Sequence, residues 1–213
     1  MIFDMDGVIV DSMPFHSRAW EAYLELLGLD ASLLNSRMHG KHNDELLRDF
    51  LGGSAKSEDI RRMGAEKEAL YRQMIESELE AQLVPGIRDF LGRFDGVPKA
   101  VASNAVAANV EFVLGRAELA KHFRVVVNGE QVQRGKPDPE IYLKAADLLH
   151  KSPSDCIVFE DSQTGIDAAL SAGMTVVAIN SHRTTLIGQA VEADHFLDGR
   201  LNQWLNELQA ARL

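Results

Sequence analysis

What most limits the folds open to this chain is a series of short apolar runs, most of them separated by helical patterns. Five read as strands: Met1–Phe3, Lys99–Ser103, Arg124–Asn128, Cys156–Glu160 and Thr175–Ile179. A sixth is expected around His195–Leu197. Most are near-continuous in valine, isoleucine and alanine rather than alternating, the pattern of strands covered on both faces. Between them, Asp138 suits an N-cap and Pro139 a first helical position, and Ile141, Ala145, Leu148 and Leu149 form an apolar face. Ser162 to Ala172 reads as a further helix, with Gly173 placed to end it in the left-handed conformation. Strands alternating with helices predict an α/β fold, a doubly wound parallel sheet with right-handed crossovers.

Residues 12–83 break that rhythm, since they hold no convincing strand. Trp20, Tyr23, Leu24 and Leu27 share one helix face. Asn43-Asp-Glu opens a second helix with a cap and first-turn acids. Ile60, Met63, Leu70, Tyr71 and Met74 fit a third helix that tolerates Gly64. The reading is an α-helical domain at 12–83 inserted into an α/β core formed by 1–11 and 84–213. Ligands in such sheets bind at the C-terminal edge of the strands.

The bulk numbers remove several classes of function. The 213 residues suit one substantial core and a smaller appended domain. Net charge is −10 with no basic block, so nucleic acid and acidic membrane surfaces are unexpected partners. No run approaches the roughly 18 apolar residues of a membrane span, and no charged-then-apolar leader pattern opens the chain. The lone Cys156 cannot staple the fold and reads as a buried structural thiol. The expected compartment is the cytoplasm.

Chemistry gathers at the predicted strand ends. The first strand runs into Asp4-Met5-Asp6-Gly7, where Gly7 lets the backbone approach an anion closely. The Lys99–Ser103 strand ends in Ser103-Asn104, a hydroxyl and an amide able to hold phosphate oxygens. After the Arg124–Asn128 strand comes Gly135-Lys136-Pro137-Asp138-Pro139, whose prolines stiffen the loop around Lys136. The Cys156 strand ends in Glu160-Asp161-Ser162. An aspartate pair, a hydroxyl, an ammonium and a second acidic pair thus converge on one edge. Magnesium takes about six oxygen ligands, usually one or two carboxylates together with phosphate and water. Asp4, Asp161 and the Asp6 carbonyl are the expected metal ligands, with Glu160 orienting them from outside. Asp4 would attack phosphorus, and Asp6 would protonate the leaving alkoxide and then take a proton from water.

These motifs resemble the haloacid dehalogenase superfamily, in particular its β-phosphoglucomutase-like branch with a helical cap. The matching stretches are DMDGVIVDS at Asp4–Ser12, VASN at Val101–Asn104, GKPDPEIY at Gly135–Tyr142 and FEDSQTGIDAA at Phe159–Ala169. The resemblance covers nearly the whole chain. It implies Asp4 as nucleophile and Asp6 as acid/base. It also implies Ser103 and Lys136 as phosphate-binding residues, to which the Asn104 amide adds by its own chemistry, and Asp4, Asp6 and Asp161 around Mg2+. Cap hinges are expected near Asp11–Met13 and Gln82–Pro85. The FHSRAW segment at Phe15–Trp20 resembles sugar-phosphate members, in which a cap histidine, here His16, supports the acid/base aspartate.

Two departures matter. Where β-phosphoglucomutases carry a cap arginine for the non-transferred phosphate, this chain has Gly40-Lys41-His42-Asn43. Asparagine stands in the arginine's apparent place, and Lys41 or His42 is the available replacement cation. The substitution favours a phosphatase of a small phosphorylated metabolite, a sugar or polyol phosphate, over a mutase that grips a bisphosphate at both ends. A non-catalytic phosphometabolite-binding protein is the remaining alternative. The second departure is that only three residues precede Asp4, so the first strand is expected to be short. A self-contained cap makes a monomer adequate.

Overall fold

The computed structural model describes residues 1–34, 43–52 and 55–210. It divides into two compact units, Met1–Asp11 with Leu79–Leu213, and Ser12–Glu78. The sequence reading runs the insertion to residue 83. In the structure residues 79–83 group with the first unit, where Leu83 forms an antiparallel bridge with Val10 and the Gln82 carbonyl accepts from the Asp11 N–H at 2.8 Å.

The first unit is a six-stranded parallel sheet: β1 (Ile2–Phe3), β2 (Ala100–Ala102), β3 (Val125–Val127), β4 (Ile157–Glu160), β5 (Thr175–Ile179) and β6 (Val191–Ala193). The spatial order is β3-β2-β1-β4-β5-β6, with β1 and β4 central. This is the doubly wound α/β arrangement that the apolar runs predicted. Alternation along β1 explains how two residues anchor a core. Ile2, in register with Ala100 and Val158, joins a buried cluster with Ala145, Ala146, Ala168 and Ala169. Those alanines let the helices Glu140–Leu148 and Gln163–Ser171 pack against the sheet. Phe3 points to the other face and stacks on Phe159 at 4.5 Å between ring centroids, with Phe90, Phe123 and Phe196 around it.

The structure corrects two element boundaries. The sixth strand is Val191–Ala193, not the segment around His195–Leu197. Residue 196 is apolar because its ring fills the aromatic cluster, 4.8 Å from Phe90, from a turn in which Asp198 N–H bonds the His195 carbonyl. The helix after Lys136 starts at Glu140 with Pro139 as its cap residue, one position later than expected. Asp138 still serves that terminus, its Oδ1 accepting from the Glu140 N–H at 3.0 Å.

The second unit contains α1 (Met13–Leu26), α2 (Asn43–Leu51) and α3 (Ser57–Ile75). Trp20, Tyr23, Leu24, Leu34, Leu46, Leu47 and Ile60 form its core. Gly64 lies inside α3 without breaking it; a Cβ there would make ordinary contact with Asn43. Among the described residues, no helix is long and apolar enough to cross a membrane.

Candidate active site

Parallel strands all end at one edge of a sheet, so the turns after β1, β2 and β4 meet even though they are far apart in sequence. Asp4 follows β1 directly and is buried, its N–H bonded to the Phe159 carbonyl at 3.0 Å. Lys136 reaches in from the loop after β3. Its ammonium donates to Asp4 Oδ1 and to Glu160 Oε1, both at 2.6 Å, with the lysine side chain only 5% exposed. Carboxylate oxygens of Asp4, Glu160 and Asp161 all lie within 4.8 Å of one another.

Glu160 is the most tightly held of these acids. Its Oε1 accepts from Lys136 and from the Tyr142 hydroxyl at 2.6 Å, and its Oε2 from Asp161 N–H, Ser162 N–H and Ser162 Oγ at 3.0 to 3.1 Å. Ser162 also caps the helix Gln163–Ser171 through Oγ, which accepts from Gly165 N–H. Two glycines make the crowding possible. A Cβ on Gly165 would sit 1.8 Å from Glu160 Oε1, and one on Gly7 would sit 2.0 Å from Asp161 Oδ2. Gly7 also has φ +79°, a conformation that side chains rarely adopt. The anion that Gly7 admits is therefore the protein's own Asp161.

Gly165→Ala is expected to force Glu160 from its donors and destabilise the protein by about 3 kcal/mol or more. At roughly 2–4 °C per kcal/mol for a chain of this size, Tm should fall on the order of 10 °C, as read by thermal unfolding. A wild-type Tm would mean that Glu160 has another seat.

Burial sets the electrostatics. It pushes the Asp4 carboxyl up to about 7; Lys136 opposes this, and Glu160 and Asp6 reinforce it. Burial and the neighbouring Glu160 and Asp4 charges push Asp161 well above its ordinary value. Burial acts on Glu160 as well, but there Lys136, Tyr142 and the Ser162 N–H prevail and hold it low. Lys136 is raised despite its burial, because Asp4 and Glu160 both favour the ammonium. Two clustered acids that resist ionising are short of positive charge, and hard carboxylate oxygens fit a magnesium-sized cation. Asp4 and Asp161 would hold it.

The other predicted residues of this unit fall as follows. Asp6 lies in the turn after Asp4, bridged to Val10, and its charge is felt by Asp4 and Asp161. Ser103 is buried at the end of β2, and its Oγ accepts from the Ala105 N–H. Asn104 Oδ1 accepts from the Lys136 N–H at 3.2 Å, tying the β2 turn to the lysine loop.

In the helical unit, His16 stacks on Tyr71 at 3.8 Å, with its Nδ1 2.9 Å from Lys67 Nζ. Lys67 Nζ donates to Glu68 Oε1 at 3.0 Å, and Asn43 Nδ2 donates to the same oxygen at 2.6 Å. Lys41 and His42 lie outside the described residues. Sequence reasoning missed Lys67, Glu68 and Tyr142. The first two had a signal, since they continue the buried stripe of α3 through Ile60, Gly64 and Tyr71. A buried tyrosine needs a partner for its hydroxyl, but nothing local to Tyr142 pointed to Glu160.

A parallel sheet whose C-terminal edge carries an aspartate, a lysine and a second acidic pair defines a phosphoryl-transfer or related hydrolytic enzyme of the α/β class. The chain belongs to the haloacid dehalogenase-like hydrolase family, whose sequence model matches residues 1–173. It is 31% identical to the β-phosphoglucomutase of Bacillus subtilis over 196 residues, covering 87% of this chain and 85% of the relative. It is likewise 31% identical to hexitol phosphatase A of Escherichia coli, over 86% of this chain and 84% of that one. Among solved structures, a β-phosphoglucomutase from Clostridium difficile superposes with a TM-score of 0.79 at 28% identity, over 98% of this chain and 97% of that one.

Proposed function

We propose that this enzyme is a magnesium-dependent phosphatase of sugar or polyol monophosphates that works through a phosphorylated Asp4. The observation that carries the reading is the Lys136 ammonium bridging Asp4 and Glu160 at 2.6 Å beside Asp161. A carboxylate can approach a phosphate dianion only where positive charge offsets their repulsion. Lys136 supplies part of that charge, and a bound divalent cation would supply the rest by drawing electron density from the phosphoryl oxygens.

Asp4 Oδ attacks phosphorus in line, and the P–O bond to the substrate breaks as the new bond forms. Asp6 gives its proton to the departing alkoxide oxygen. It then takes one from the water that cleaves the aspartyl phosphate, releasing orthophosphate and returning both aspartates to their starting forms. Ser103 and Lys136 hold the phosphoryl oxygens, while Asn104 keeps the lysine loop in place.

Hydrolysis is favoured over mutase chemistry by Asn43, whose uncharged amide is held by Glu68. A mutase must grip a second phosphate, and an amide committed to a carboxylate offers no charge for it. Sugar and polyol phosphates are the substrate class because relatives such as hexitol phosphatase A and β-phosphoglucomutase bear those names. The experiment is phosphate release from a panel of hexose, pentose and polyol monophosphates with Mg2+. It is paired with conversion of a hexose 1-phosphate to its 6-phosphate in the presence of a bisphosphate primer. Release should exceed background for at least one substrate, fall more than about 100-fold with a chelator, and occur without isomerisation. Isomerisation without release would overturn the phosphatase reading.

A further inference from the structure

We propose that Tyr142 is a positioning residue that commits Glu160 to Lys136 and keeps it from serving as a third carboxylate ligand to the divalent cation. The inference rests on the metal-dependent reading above. By proximity alone Glu160 is as good a ligand as its neighbours, since one of its oxygens lies within 4.8 Å of an oxygen on Asp4 and another on Asp161. What sets it apart is saturation. A carboxylate offers about four lone-pair sites, and Glu160 already accepts from five donors. Four of these come from Lys136 and from the turn that Glu160 itself opens. The fifth, the Tyr142 hydroxyl, comes from a separate helix.

Tyr142 is fully buried, and its O–H···O contact of 2.6 Å is the short, charge-assisted kind that a dry environment strengthens. The same side chain also touches the cation, because Lys136 Nζ lies 4.8 Å from the centre of the Tyr142 ring. The hydroxyl thus shares Glu160 Oε1 with the ammonium. Without it, that oxygen would regain a lone pair and more of its charge. Glu160 would then pull harder on Lys136 and become able to bind a metal. The two effects have opposite signs: divalent cations should bind more tightly, and phosphate, which needs the ammonium, more weakly. A tyrosine that only filled space would weaken both together when altered.

Tyr142→Phe keeps the ring and removes only the hydroxyl. Calorimetric titration of the metal-free protein with Mg2+ should show Kd lowered about 10-fold, the scale on which groups behind a metal's ligands act. Titration of the Mg2+-loaded protein with inorganic phosphate should show Kd raised by a similar factor. In Tyr142→Phe/Glu160→Gln the gain in Mg2+ affinity should disappear. Unchanged or weaker Mg2+ binding by Tyr142→Phe overturns the inference. A crystal structure of the wild-type protein with Mg2+ is the second measurement, and it does not depend on the variant folding. Glu160 should stay on Lys136 and Tyr142, whereas a Glu160–Mg2+ bond at about 2.1 Å overturns the proposal. A wild-type protein that takes up no Mg2+ overturns the metal-dependent reading as well; normal uptake with unaltered affinity in the variant overturns only the role of Tyr142.

Discussion

Asp4→Asn is expected to lower phosphate release by about 10,000-fold or more while leaving a folded protein. An amide cannot form the acyl phosphate, and loss of a nucleophile removes a whole reaction path rather than one contact. The fold should survive because the asparagine Oδ1 can still accept from Lys136, which donates to Asp4 at 2.6 Å in the wild-type protein. The substitution should also flatten the pH dependence of stability in the metal-free protein. The Asp4 carboxyl rises from 3.8 to about 7 on folding, chiefly through burial. A carboxyl raised in this way binds its proton more tightly when folded. Its stabilising contribution is therefore complete below 3.8 and is lost as pH climbs through about 7. Wild-type protein should lose stability between pH 5 and pH 8, and Asp4→Asn should lose less, with Asp161 still contributing. Phosphate release with Mg2+ and urea unfolding at the two pH values measure both effects. Release within tenfold of wild type would remove Asp4 as the nucleophile.

Lys136→Met should damage both stability and activity. Methionine fills similar volume but leaves Asp4 without its only described side-chain donor, and deprives Glu160 of the cation that offsets its charge. Removing one member of a buried ion pair costs about 3–5 kcal/mol. Glu160 retains Tyr142, Asp161 and Ser162 as donors, so the heavier loss falls on Asp4. Asp4 can take up a proton, so the deficit should be smaller at pH 5 than at pH 8. Turnover should fall about 1,000-fold at saturating Mg2+, the scale on which preorganised charge at a transferring group acts. Urea unfolding across pH and steady-state kinetics read the two effects. A variant with wild-type stability at pH 8 would show that the lysine does not neutralise the buried acids.

The elements bearing the chemistry were legible because their signals are local. Strands covered on both faces are written as unbroken apolar runs, here Ile157–Phe159 and Val176–Ile179, and each run stops where polar residues begin. The β6 segment was misplaced for an equally physical reason. A three-residue edge strand such as Val191–Ala193 carries little pattern of its own and is chosen by pairing with β5. Phe196 looked strand-like only because its ring completes a cluster built from Phe3, Phe90 and Phe159. Lys67 hid in the other direction: a charged residue reads as solvent-facing, yet this one is buried beside His16 and Glu68.

Element type, strand direction and the meeting of Asp4, Lys136, Glu160 and Asp161 at one edge of the sheet followed from the sequence by itself. Those properties depend on side-chain periodicity and on the fact that parallel strands all finish on one side. Which donors satisfy each acid was decided only by the tertiary structure. Glu160 and Asp161 are adjacent in the chain and chemically alike, but one accepts from donors at positions 136, 142, 161 and 162, while the other is hemmed in by Gly7. An oxygen has few lone pairs, and what competes for them is set by three-dimensional proximity, which no local pattern records.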